Sequence, residues 1–266
     1  HNICTGRGGG MYTQSSCPKI INSMILNNST INGGGGGLYI DGRNYNTPEI
    51  YTILENVDII ANESGYNNRG GGINIPHAYI KLNNLNIRQN IAYNGGGISI
   101  EYNDYSVLTN LTILNNVAYG QGGGVYSNSG SGNPIPPNFV DCIIVNNTAD
   151  QGGGMYLNST TTFTNTIIAN NSADGNGGGL QLHNGVGNNS LFPNCTIDNN
   201  SSNGQGDGIY GLLGSSISNV NFINNGVSWF NFDNSNIVNA TNNYWGHSSG
   251  PYHPTQNPSG QGDSVN

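Results

Sequence analysis

Apolar and polar residues recur along this chain in a fixed order, and the period is far longer than that of a helix or a strand. A glycine triplet or close variant ends at Gly10, Gly37, Gly72, Gly97, Gly124, Gly154, Gly179 and Gly208. An apolar residue follows each: Met11, Leu38, Ile73, Ile98, Val125, Met155, Leu180 and Ile209. The steps between triplets are 27, 35, 25, 27, 30, 25 and 29 residues. Self-similarity at that period predicts stacked units, each burying a face against the next.

A second pattern follows each triplet after a variable stretch. Leu108 to Asn116 (LTNLTILNN), Phe139 to Asn147 (FVDCIIVNN) and Phe163 to Asn171 (FTNTIIANN) are examples. Aligned, they give an apolar column of Ile20, Leu54, Leu82, Leu108, Phe139, Phe163, Phe192, Ile217 and Ile237. Two residues on stands a polar column of Asn22, Asn56, Asn84, Asn110, Asp141, Asn165, Asn194, Asn219 and Asn239. Another apolar column runs Ile25, Ile59, Ile87, Ile113, Ile144, Ile168, Ile197 and Phe222, and the unit closes on Asn28, Asn62, Asn90, Asn116, Asn147, Asn171, Asn200 and Asn225. Alternation over three or four positions signals short strands. Asn tolerates left-handed backbone, so an Asn between two strands reads as a tight bend. Stacked on itself from unit to unit, that Asn can also form an amide ladder. Each unit therefore holds three short strands. Helix is not expected, because no segment has useful i, i+3, i+4 spacing and Gly and Asn are poor helix formers. About nine coils at ~4.8 Å make a solenoid rod of roughly 40 Å.

The pairing of GGG[IVLM] with [IF]xxN resembles the GGA[ILV] and FxxN motif pair of the polymorphic outer-membrane protein repeats. Ile25-Leu26-Asn27-Asn28, Ile59-Ile60-Ala61-Asn62, Ile113-Leu114-Asn115-Asn116 and Phe222-Ile223-Asn224-Asn225 carry the second motif. The resemblance covers Gly8 to Asn225. It departs in Gly for Ala and mostly Ile for Phe, which bear on packing more than on fold. It implies an all-β fold, a right-handed parallel β-helix, carried as a secreted passenger or adhesin. Residues Asn242 to Val265 (NNYWGHSSGPYHPTQNPSGQGDSV) are similar to the NxWWG…SGP…NPxGxGD ending of many secreted bacterial right-handed β-helix proteins. That similarity implies a β-helix over 1–241, a capping segment and tail over 242–266, and Trp245 as a cap on the last coil. It also implies an exported bacterial protein, secreted or on the cell surface.

Composition narrows the function. The net charge is −8, and the cations are only Arg7, Lys19, Arg43, Arg69, Lys81 and Arg88. Nucleic-acid binding needs several phosphate-neutralising side chains, so that partner is excluded. No run of ~20 apolar residues is present, hence no membrane-spanning helix is expected. Gly206, Gly208 and Gly211 fit GxGxxG, but Gly208 belongs to the repeat and no helix follows, so no dinucleotide site is expected. Cys142 and Cys195 share an inward column two coils apart, too far for a disulfide, and read as buried thiols. Cys4 and Cys17 flank the first coil and are compatible either with a bridge or with two thiols.

Candidate chemistry is sparse. The acidic residues Asp58, Glu101, Asp104, Asp198 and Asp233 are scattered and read as solvated. The two lysines are far apart and no Asp-Asp pair occurs, so a non-enzymatic module is expected, with a polysaccharide lyase or hydrolase as the alternative. No cofactor is expected apart from calcium. Asp150 and Asp174 each lie three residues after a closing Asn and should stack, with Asn203 next, as candidate calcium ligands. Tyr12, Tyr39, Tyr126, Tyr156 and Tyr210 share one outward column, interrupted by Asn74, Ser99 and Gln181. Aromatic rings beside amides suit a glycan face, with an extracellular polysaccharide or a neighbouring cell surface as the partner.

Overall fold

The computed structural model describes residues 1–42, 51–102, 106–128, 137–158, 160–183, 190–211, 217–230 and 240–265. Among these the chain is a parallel β solenoid without helix. The strands after the glycine triplets, from Met11–Gln14 through Ile209–Tyr210, form one sheet in coil order. The strands around the Asn bend form a second sheet, and two-residue strands such as Ile91–Ala92 and Val117–Ala118 form a third. About seven full turns are present, against the nine expected. Seven steps separate the eight triplets, and the strands beyond them belong to incomplete turns. The expected ninth members, Ile237 and Asn239, lie outside the described residues.

Register follows the sequence columns. Ile98 pairs with Ile73 and with Val125, which pairs with Met155. Ile113 pairs with Ile144, which pairs with Ile168. These inward residues are fully buried, each Ile contributing about 1.5–3 kcal/mol of burial. The aromatic members of the first column stack as rings: Phe139 on Phe163 at 5.4 Å and Phe163 on Phe192 at 4.9 Å. Trp245 closes the far end, stacked on Phe222 at 4.6 Å.

The two asparagine columns differ. The bend residues have positive φ, from 48° at Asn22 to 59° at Asn219, as the bend requires. They face solvent and pair intermittently, for example Asn84 Nδ2 donating to Asn56 Oδ1 at 2.7 Å. The continuous ladder lies in the closing column instead. From Asn28 to Asn200, each residue donates its backbone N–H and its Nδ2 to Oδ1 of the next, at 2.9–3.1 Å. Asn116 Nδ2 also reaches the Ile87 carbonyl at 2.9 Å. Asn62, Asn90, Asn116, Asn147 and Asn171 are fully buried, and the ladder gives each amide the partners that burial demands.

Close approach of backbone and ladder from coil to coil requires glycine at the third triplet position. A Cβ on Gly97 would lie 2.7 Å from the Gly124 carbonyl oxygen and 3.2 Å from Asn116 Nδ2. The first glycine of that triplet, Gly95, has φ +65° and turns the chain into the strand.

A candidate ligand cleft on the glycine-triplet sheet

Along each triplet strand the first and third residues point inward and the second and fourth outward. Register places Tyr12, Tyr39, Asn74, Ser99, Tyr126, Tyr156, Gln181 and Tyr210 in one outward column. The expected tyrosine column is therefore real, but its exposure is not that of an open platform. Tyr12 is 43 % exposed, whereas Tyr39, Tyr126 and Tyr156 are only 6 %, 5 % and 4 % exposed. Parallel register turns neighbouring rings toward each other, Tyr126 and Tyr156 at 5.8 Å with planes 18° apart. Side chains from the turns before the triplets then lie over them. The Arg7 guanidinium sits 5.0 Å from the Tyr39 ring centre and that of Arg69 5.4 Å from Tyr126. Burial pushes the Tyr156 phenol up to about 12, with Tyr126 adding and a hydrogen bond from Gln121 opposing. Tyr39 is also raised, chiefly by burial, against the lowering effect of Arg7.

A cleft of about 430 Å³ opens beside this column. Arg7, Tyr39, Arg69, Asn74, Tyr93 and Glu101 line it, with Asn67, Asn68 and Asn94 from the turns. Glu101, expected to be solvated, is only 6 % exposed and forms an ion pair with Arg69. A buried carboxylate needs such a partner, and Ser99 Oγ donates a further bond at 3.4 Å. Asn74 is 6 % exposed, and its Oδ1 has no hydrogen-bond partner. A buried acceptor left unpaired costs about 1–3 kcal/mol.

The remaining candidates lie elsewhere. Asp150 and Asp174 are in register as expected: Asp174 N donates to the Ala149 carbonyl at 3.0 Å and Gly175 N to that of Asp150 at 2.7 Å. Both are exposed. Asn203 follows them, its N–H on the Ala173 carbonyl. Two carboxylates and an amide supply few of the 6–8 oxygens calcium takes, leaving water to furnish the rest. Among the described residues, no group of three or more His, Cys, Asp or Glu is placed to hold a metal ion. No disulfide joins Cys4 to Cys17. Cys142 and Cys195 are fully buried, and burial pushes their thiols up to about 12 and about 11. Asp104 and Asp233 lie outside the described residues.

Residues 11–192 match the family model of the right-handed β-helix region. The chain belongs to the right-handed β-helix family. No curated protein and no solved structure matches it. No helix among the described residues of this β-helix is long and apolar enough to cross a membrane.

The tyrosine column is legible in the sequence, whereas the cleft beside it is not. The β-helix builds the cleft from Asn74, which interrupts the tyrosine column, from Glu101, and from the turn arginines Arg7 and Arg69. The interruption was itself the signal, because a polar residue stands where register places rings in neighbouring coils.

Proposed function

We propose that this β-helix is a non-enzymatic secreted or cell-surface module that binds an extracellular glycan in the cleft beside Tyr39. One observation carries the reading: the buried, unpartnered Oδ1 of Asn74 in the wall of a polar cleft. A sugar hydroxyl supplies the missing donor after a small shift of that wall. Arg7 and Asn68 offer donors to sugar oxygens, and the Tyr39 and Tyr93 rings offer apolar edges. The likeness of the repeat to surface passengers, and of the C-terminal segment to secreted β-helix endings, supports the location.

The test is a glycan array probed with the intact domain, followed by titration of the best ligand against wild type and Asn74→Leu. We expect binding by the wild type and a loss of about tenfold in the variant, the value of one hydrogen bond to a buried acceptor. Absence of wild-type binding across plant, algal and bacterial polysaccharides removes the glycan reading.

A carbohydrate-active enzyme is the second reading. Asp41 and Glu101 are both buried on this sheet, 2 % and 6 % exposed, and glycoside hydrolysis uses paired carboxylates. Glu101 is committed to Arg69, which favours the binding role. Release of reducing ends by wild type, abolished in Glu101→Gln, would reverse that preference.

A further inference from the structure

The outward face of the second sheet, on the strands around the Asn bend, changes character along the rod. Glu55 and Asp58 point outward on strand Thr52–Ile60, and Lys81, Asn86 and Arg88 on strand Ile80–Arg88. Over the next three coils the two outward columns after the bend carry no charge: Thr112 and Leu114, Ile143 and Val145, then Ile167 and Ala169. Ile143 and Ile167 are neighbours in register, 40 % and 41 % exposed. Contiguous exposed apolar surface rimmed by polar residues marks an interaction site. Charge returns at Asp198, in register beyond Ala169. Arg88, Leu114, Val145, Ala169 and Asp198 thus form one column with a cation at one end and an anion at the other. Each charge lies two coils from Val145, so they are about 19 Å apart at strand spacing. Both are half-buried, and among the described residues neither is in an ion pair.

We propose that this face joins two copies of the chain side by side, their solenoid axes antiparallel and the two-fold axis at the coil of Val145. Such a two-fold reverses the order of coils and keeps the columns aligned. It sets Arg88 against the partner's Asp198, and Asp198 against the partner's Arg88. It also lays Leu114 over the partner's Ala169, large on small, and Ile143 over the partner's Ile143. The column is therefore its own complement, which is what an isologous contact requires. The alternative with parallel axes sets coils level, and Arg88 and Asp198 then meet the uncharged Asn86 and Thr196. Complementary charge selects the antiparallel register more than it adds affinity. Asp141 stands on the bend at the rim of the face, where Asn165 Nδ2 donates to it and water screens its charge. The proposal does not depend on the glycan reading, because the cleft lies on the glycine-triplet sheet and stays open in such a pair.

The test is sedimentation equilibrium of the intact domain from low to high micromolar concentration, with melting curves to confirm that each variant folds. Wild type should show a monomer–dimer equilibrium. Ile143→Lys sets two ammonium groups together at the two-fold and should abolish the dimer. Arg88→Asp removes both ion pairs and opposes like charges, so it should weaken the dimer by at least about tenfold. The double exchange Arg88→Asp with Asp198→Arg restores both pairs in the antiparallel register and should bring the dimer back to within a few-fold of wild type. That rescue separates contact across the face from any local effect of either residue. A wild type that stays monomeric throughout overturns the proposal. A dimer that Ile143→Lys leaves intact places the contact elsewhere and overturns it too. A dimer indifferent to Arg88→Asp, or one that the double exchange fails to restore, overturns the antiparallel register.

Discussion

The carboxylate of Asp263 terminates the asparagine ladder at Asn225. Its Oδ2 accepts the Asn225 backbone N–H at 2.8 Å and Nδ2 at 3.2 Å, and also the Ser228 hydroxyl at 2.7 Å. The ladder donates in one direction, so Asn225, whose Oδ1 already accepts from Asn200, needs an acceptor for its own N–H and Nδ2. A carboxylate is acceptor-only and fits that end, whereas another amide would arrive with an NH2 to satisfy. Strand Gly262–Val265, paired on Val227–Phe230, holds Asp263 in place.

Asp263→Ala should therefore destabilise the C-terminal end by about 1–3 kcal/mol, because it strands the donors of Asn225. Asp263→Asn keeps an acceptor oxygen and should cost less. Urea denaturation midpoints for the two variants check the order. Hydrogen exchange adds a local measure, since the Asn225 amide should lose protection in Asp263→Ala before that of Asn116 does. Equal midpoints for Ala and Asn would show that the acceptor is dispensable.

Ile143 and Ile144 are chain neighbours on opposite faces of one strand. Ile144 is fully buried between Ile113 and Ile168, and Ile143 is 40 % exposed. Truncation to alanine should cost about 2–5 kcal/mol at Ile144, the range for cavities in a packed core. At Ile143 the cost should stay within about 0.5 kcal/mol, as for a surface position. Chemical denaturation of both variants measures the difference, and matching midpoints would refute the assignment of faces.

Much of this architecture was legible in the residues. The isoleucine column that includes Ile144 appears intact in the register, and Trp245 does cap the stack. What the pattern could not separate were two asparagine columns of like appearance. Asn56 and Asn62 differ six positions apart. The first takes φ 54° and faces water; the second is buried and bonded on both sides, the positive φ of that turn falling on Ala61 at 52°. Composition cannot say which of two amides points inward. The cleft was illegible for another reason. Arg69 and Glu101 are 32 residues apart, and their meeting depends on turn lengths that vary from coil to coil.

The thiols give a prediction with a pH sign. Burial lifts Cys142 from an ordinary 9.0 to about 12, Cys195 from 9.0 to about 11, and the Tyr156 phenol from 10.0 to about 12. Well below pH 9 all three are protonated in the folded and unfolded chain, and they add no pH dependence. Above it the unfolded chain loses these protons first, so stability falls as pH rises from 9 toward 12. At pH 8 a thiol reagent should modify the half-buried Cys4 and Cys17 and leave Cys142 and Cys195 untouched until the protein unfolds. Mass spectrometry of the native labelled protein counts the adducts, and rapid labelling of all four would contradict the buried assignment.

Asn165 tests the bend itself. Its φ is 51°, in the left-handed region, and its Nδ2 donates to Asp141 Oδ1 of the preceding coil at 3.1 Å on the exposed side. Two effects can be separated by two substitutions. Asn165→Gly loses the side-chain bond, which at an exposed site is worth at most about 0.5–1.5 kcal/mol, but accepts the backbone without strain. Asn165→Val loses the same bond and must also hold a β-branched residue at positive φ, adding at least about 1–2 kcal/mol. The valine variant should therefore melt below the glycine variant, which should stay close to wild type. If the two variants instead melt together, well below wild type, the side-chain bond rather than the backbone conformation governs this position.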